Sequence, residues 1–340
     1  MKTLVLEQPG RLAETDTDLP PATPPEGMAL VRVRRVGVCG TDFHAWHGRQ
    51  PFFTFPRVLG HELGVEVIAV GAGESRVGPG DRCSVEPYLH CGGCGACRRG
   101  RTNCCERMQV MGVHVDGGMR EQLLVPLGKL HPSSSLDLET LALVETLSVG
   151  AHAVRRGSPA AGDQTLVIGA GPIGLSVTAF ALERGADVVV MDVSDARLAF
   201  VARALPGART LKAPADQVAD AVRAAFGGAP PLLVFDATGH RGSMCGAITL
   251  AAHGGTVVYV GLFAGDVTFP DPEFHKRELT LMGSRNATAD DFRHVIAALE
   301  GGRVDVTPWI THRAALADVP AVFPSWTDPA TGVVKALIEL

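Results

Sequence analysis

Hydrophobic positions along the chain follow two rhythms. Over residues 28–36 apolar side chains alternate with arginines, and residues 64–71 are dense in Val and Ile, as strands with a buried face require. Turn signals separate such runs: Pro20-Pro21-Ala22-Thr23-Pro24-Pro25, Gly71-Ala72-Gly73 and Gly78-Pro79-Gly80-Asp81. Residues 1–145 therefore read as a β-rich unit, a Greek-key-like barrel whose loops carry its polar residues. Residues 136–152 read as a helix, with apolar positions at 138, 141, 142, 147 and 149.

From about residue 160 the rhythm becomes strand, helix, strand. Strands are expected at 165–168, 187–192, 208–211, 232–236, 255–261 and 279–283, and helices at 172–184, 195–205, 214–226 and 241–252. That succession predicts an α/β fold, a doubly wound parallel Rossmann sheet beside the β-barrel. A last helix at 289–300 and a closing strand at 332–339 are expected to return to the first unit, leaving the sheet domain inserted between its parts.

Composition narrows the class. The 340 residues are 46% hydrophobic and 20% charged, a globular profile long enough for two domains. Net charge is −5 without a Lys/Arg block, which argues against a nucleic-acid partner. No apolar run approaches a membrane span, and Glu7 and Pro9 interrupt the start before a signal-peptide core forms, so the expected compartment is the cytoplasm. Of the eight cysteines, five fall within residues 91–105; in a cytosolic chain such crowding points to metal rather than disulfides.

Two short stretches concentrate chemistry: Gly37-Val38-Cys39-Gly40-Thr41-Asp42-Phe43-His44 and Gly60-His61-Glu62. Cys39 and His61 offer a thiolate and an imidazole, a pair suited to zinc. Asp42 is placed to hold the second ring nitrogen of His61, and either Glu62 or Glu145 to complete the coordination. Thr41 and His44 supply a proton path. A lone buried Cys or His is more often structural, but the grouping favours a metal-centred active site. Trp46, Phe53 and Met119 are candidate walls of a substrate pocket, although such side chains more often simply pack.

Cys91, Cys94, Cys97 and Cys105 form a second set, four thiolates within one glycine-rich loop, suited to a closed structural zinc with an iron–sulfur cluster as the lesser alternative. Cys104 is the odd member, and Cys83 and Cys245 read as core thiols. Further on, Gly169-Ala170-Gly171-Pro172-Ile173-Gly174 follows the apolar run Leu166-Val167-Ile168 and opens a helix. Gly169 permits the turn, Gly171 lets a pyrophosphate approach the backbone, Gly174 lets the helix pack, and Pro172 is preset for its first turn. Asp192 closes the next strand, where a carboxylate accepts the adenosine ribose hydroxyls and repels a 2′-phosphate, predicting NAD over NADP. Its rival role is the N-cap of the helix near 195, and Arg197 is a nearby cation that softens discrimination.

Together these features resemble the zinc-dependent medium-chain dehydrogenase/reductase superfamily over nearly the whole chain. Gly60-His61-Glu62 with the two glycine turns that follow is similar to its signature region. Val144-Glu145-Thr146-Leu147-Ser148-Val149-Gly150 is similar to the polyol branch, which includes sorbitol and threonine dehydrogenases, with Thr146 where Pro is commoner. Glu273-Phe274-His275-Lys276-Arg277-Glu278 and Gly283-Ser284-Arg285-Asn286-Ala287 are similar to sugar-acid members of the L-galactonate type. The resemblance implies a GroES-like catalytic domain at 1–146 and 286–340 with a zinc lobe at 86–106, and an NAD-binding Rossmann domain at 147–285. It implies one catalytic zinc on Cys39, His61 and one of the two glutamates, one structural zinc, and a homo-oligomer, dimer or tetramer. It turns Arg285 toward a polyol or sugar-acid substrate, with Asn286 beside it. L-Threonine or a simple alcohol is the alternative substrate. Rivals from other classes are a non-catalytic zinc and nucleotide sensor, expected to bind one zinc, and a zinc-independent quinone or enone reductase, expected to bind none.

Overall fold

The computed structural model describes residues 1–50 and 52–340. The chain divides into two units, Met1–Glu145 with Ala287–Leu340, and Thr146–Asn286.

In the first unit the strand Met28–Val38 is the spine. It pairs antiparallel with Glu62–Val70, with Gln122–Pro126 and with Lys335–Glu339. The full order runs Leu130–Pro132, Arg82–Val85, Glu62–Val70, Met28–Val38, Lys335–Glu339, Ile310–Ala315. Register shifts at Leu30/Val31 and Val33/Arg35 bend the spine, which is why Ala29, Leu30 and Val31 are consecutively buried where strict alternation would expose one. The core gathers Leu4, Leu6, Val31, Leu59, Leu63, Met119, Phe323 and Ile338, each side chain contributing roughly 1.5–3 kcal/mol by leaving water. The strands Lys2–Gln8, Arg11–Asp16 and Ile310–Ala315 carry too few apolar residues to stand out in the sequence. Nor was the helix Gly40–Trp46 foreseen; its seven residues are too few to display a helical period.

The helix expected at 136–152 spans Leu138–Gly157. It begins where the Asp137 carboxylate accepts the Thr140 amide at 2.7 Å, and it runs through Gly150 to Gly157. Its first turn lies directly on the strand Glu62–Val70. A Cβ at Gly64 would come 2.1 Å from the Leu138 carbonyl oxygen. Glu145 follows two helical turns later.

The second unit holds six parallel strands in the order Arg209–Leu211, Asp187–Met191, Gln164–Ile168, Leu233–Asp236, Thr256–Tyr259, Thr280–Gly283. Val188, Val189 and Val190 are all buried, the continuous apolar run that a sheet covered on both faces demands. The helix expected at 214–226 begins only at Val218, after a turn at Pro214, and that at 241–252 ends at Ala247 in a short 3-10 turn. The strand expected at 255–261 is Thr256–Tyr259 and lies inside the sheet; the outer strand on that side is Thr280–Gly283. Among the described residues no helix is long and apolar enough to cross a membrane.

Candidate active site

The spine strand and its neighbour build the metal centre through their register. Gly37 pairs with Glu62, so Cys39, just past one strand end, meets His61 and Glu62 at the start of the other. The donor atoms of Cys39, His61 and Glu62 all lie within 4.8 Å of one another. Tetrahedral zinc bonds of roughly 2.0–2.3 Å set donors about 3.3–3.8 Å apart, inside that limit, and the sulfur, nitrogen and oxygen mixture suits the ion. Gly37 makes room for the acid. A Cβ there would stand 2.1 Å from Glu62 Oε2.

Cys39 is the N-cap of Gly40–Trp46, and its amide donates to the Asp42 carboxylate at 2.9 Å. That bond turns the fully buried Asp42 toward His61, whose Nδ1 lies 3.8 Å from Asp42 Oδ1. Among the described residues neither atom has a hydrogen-bond partner, and with Nδ1 facing Asp42 it is Nε2 that is left for a metal. Burial pushes the Asp42 carboxyl up. Burial opposes a charge on His61, yet Asp42 and Cys39 outweigh it and hold its imidazolium well above the ordinary range, so a bound metal would displace a proton.

Two residues not anticipated from sequence hold the rival carboxylates. Lys335, 1% exposed, donates to Glu62 Oε1 and, at 3.3 Å, to the Val38 carbonyl. Tyr88 donates its phenolic hydrogen to Glu145 Oε1. Glu145 stands outside the three-donor set; burial raises its pKa, the neighbouring His61 opposing. A Lys directly before the apolar run Ala336-Leu337-Ile338 was the one available signal for Lys335. Tyr88 left none.

Thr41 and His44 are three residues apart on Gly40–Trp46 and share a face. Partial desolvation, then Arg49 and His47, lower the His44 pKa and keep the ring neutral. Trp46 packs on Phe323 with ring centroids 5.3 Å apart, and Phe53 on Phe55 at the same separation. Met119 is fully buried in the core. Arg285 is exposed rather than desolvated and belongs, with Asn286, to the second unit. Asn286 adopts a left-handed backbone, φ 53°.

In the cysteine lobe the sulfurs of Cys91, Cys94, Cys97 and Cys105 lie within 4.8 Å of one another, a closed set that could hold a single ion. Amides point at them: Cys97 N at Cys94 Sγ, and Cys91 N and Arg107 N at Cys105 Sγ, at 3.3–3.4 Å. The Arg107 guanidinium pulls the Cys91 thiol down to about 6. Cys104 is exposed and outside the set.

The glycine loop divides its labour among three residues. Gly169 takes φ 98°, which favours glycine. A Cβ at Gly171 would meet nothing within 4 Å, so the backbone there is open to a ligand; at Gly174 it would stand 1.7 Å from the Gly169 carbonyl oxygen. Pro172 opens the helix Pro172–Glu183 and Ile173 is half-buried beside it. Asp192 accepts the Ala170 amide at 2.7 Å and the Ser194 amide at 2.9 Å, tying the acid to the loop. The N-cap of Asp195–Ala204 is Ser194, not Asp192. Arg197 approaches Asp192 to 3.9 Å and is half exposed.

Comparison with known proteins agrees with this architecture. Residues 25–135 match the alcohol dehydrogenase GroES-like domain and residues 172–301 the zinc-binding dehydrogenase family. The chain is 45% identical to L-galactonate-5-dehydrogenase of Escherichia coli K12, over 95% of this chain and 94% of that protein. It is 32% identical to L-arabinitol 4-dehydrogenase of Hypocrea jecorina, over 92% and 85%. The crystal structure of the alcohol dehydrogenase RspB from Escherichia coli CFT073, solved with NADH, superposes with a TM-score of 0.92 at 29% identity, covering 100% of this chain and 99% of that one.

Proposed function

The chain belongs to the zinc-binding dehydrogenase family, and from that premise we propose that it removes hydride from a secondary alcohol of a polyol or sugar acid, an aldonate of the L-galactonate kind, and delivers it to NAD. The observation that carries this reading is the cluster of Cys39, His61 and Glu62 donors within 4.8 Å, with His61 and Glu62 buried and Cys39 half-buried. When bound, zinc supplies Lewis acidity toward the alcohol and NAD supplies the hydride acceptor.

The chain's own residues do the rest. Cys39, His61 and Glu62 hold the ion, Asp42 fixes the His61 ring, and Lys335 offsets the Glu62 charge. A hydroxyl is too weak a base at neutral pH to keep the alcohol's proton, so Thr41 relays it and the neutral His44 accepts it. Gly171 and the first turn of Pro172–Glu183 receive the pyrophosphate; Asp192 takes the ribose hydroxyls, with Arg197 beside it. The four-cysteine lobe binds a structural zinc. Arg285 is the candidate partner of a substrate carboxylate. We place the enzyme in the cytoplasm as a homo-oligomer.

The test is a panel of aldonates, polyols and L-threonine, each offered with NAD and with NADP and followed by absorbance of the reduced cofactor. An aldonate or polyol with NAD is expected to give the highest kcat/KM. Preference for L-threonine, or no reduction by a fully zinc-loaded protein, overturns the substrate assignment.

A further inference from the structure

We infer that Tyr88 is a positioning residue for the catalytic metal: its phenol holds the Glu145 carboxylate clear of the Cys39–His61–Glu62 donor set, leaving the fourth coordination position open to substrate. This rests on the reading of that cluster as a dehydrogenase zinc centre.

Two buried carboxylates compete for one ion, and each is engaged by a different donor. Glu62 takes the Lys335 ammonium while its register with Gly37 keeps it among the metal donors. Glu145, 5% exposed and on the helix Leu138–Gly157, takes the Tyr88 hydroxyl and stands outside that group. A hydrogen bond from a neutral donor to a carboxylate is charge-assisted, and both partners here are buried.

Tyr88 is itself held firmly. It is 3% exposed and lies on the short strand Tyr88–Leu89, paired with Gln109–Val110. Its ring meets Phe292 edge-on with centroids 6.3 Å apart. Three residues later the chain enters the cysteine lobe at Cys91, where a metal bound by Cys91, Cys94, Cys97 and Cys105 would brace the segment that carries the phenol. Freed from the phenol, Glu145 becomes a fourth protein ligand, and a zinc with four protein ligands is closed to substrate.

Tyr88→Phe keeps the ring and removes only the donor. The readout is the rate at which the protein, without substrate or NAD, loses its catalytic zinc to a chelator; the relevant phase is the one absent from Cys39→Ala. Tyr88→Phe is expected to slow that phase by about tenfold or more, with kcat reduced, and Tyr88→Phe/Glu145→Gln to restore the wild-type release rate. A merely structural disturbance would instead speed zinc loss and would not be reversed by the second substitution. Release from Tyr88→Phe as fast as wild type, or slow release that persists in the double variant, overturns the inference alone. A protein that binds only the cysteine-lobe zinc overturns the dehydrogenase reading and this inference with it.

Discussion

A methyl group added at Gly37 would sit 2.1 Å from Glu62 Oε2 and 2.9 Å from Glu62 Cβ. Gly37→Ala is therefore expected to push the acid off its position, lowering zinc content toward one ion per chain and kcat/KM by at least about tenfold, with the circular dichroism of the fold retained. Full zinc and full activity in that variant would contradict the placement of Glu62. At the other cluster, Asp192→Ser removes the carboxylate that bonds the Ala170 and Ser194 amides and leaves Arg197 nearby. The ratio of kcat/KM for NADP to that for NAD is expected to rise; an unchanged ratio would remove Asp192 from cofactor selection. Residues of this kind were legible where chemistry and spacing coincide: Cys39, Asp42 and His61 are short-range neighbours or sit in glycine-rich stretches. The choice between Glu62 and Glu145 was not legible. It depends on Lys335, 273 residues from Glu62, and on Tyr88, 57 residues from Glu145.

At the scale of elements, the first unit joins several of its segments through a buried polar network. Glu86, just past Arg82–Val85, accepts from Lys129 and at 3.1 Å contacts His131 of Leu130–Pro132. His131 stacks on Phe292 of Ala289–Glu300 with centroids 4.9 Å apart. Burial alone would raise the Glu86 pKa, but His131 and Lys129 outweigh it and hold the carboxyl below its ordinary 4.5. A carboxylate depressed in the folded state stabilises above its unfolded pKa and loses that contribution as pH falls through the folded one. Glu86→Gln should thus be less stable than wild type by about 3–5 kcal/mol near neutrality. The gap in denaturation midpoint should narrow as the pH drops below 4.5. A gap that stays constant into acid would refute the network's role. Helices and strands with a full period were readable because burial imposes it: the rhythm of the parallel sheet is an example. Short elements such as Gly40–Trp46 and Arg11–Asp16 were not, since contacts from distant segments form them. The outer position of Thr280–Gly283 is likewise a matter of topology that strand composition does not encode.

For the molecule as a whole, the order of motifs carried the fold class: a β-rich region with a cysteine lobe, then the glycine loop opening a parallel sheet. The family match spans both regions. The first unit is closed by Lys335–Glu339, which pairs with Met28–Val38 and so brings a buried lysine to the metal end of the spine. Of the eight cysteines, Cys39 and the four of the lobe stand in groups that could hold a metal ion. Cys83 is buried with its thiol pushed up to about 12, an inert core residue. Zinc content per chain, measured on wild type and on Cys39→Ala, bears most directly on the claim that Cys39 and His61 hold a catalytic ion. The expected result is about two zinc ions in wild type and about one in the variant, with the variant inactive but still binding NADH. One ion in wild type, or two in an active Cys39→Ala protein, would contradict it.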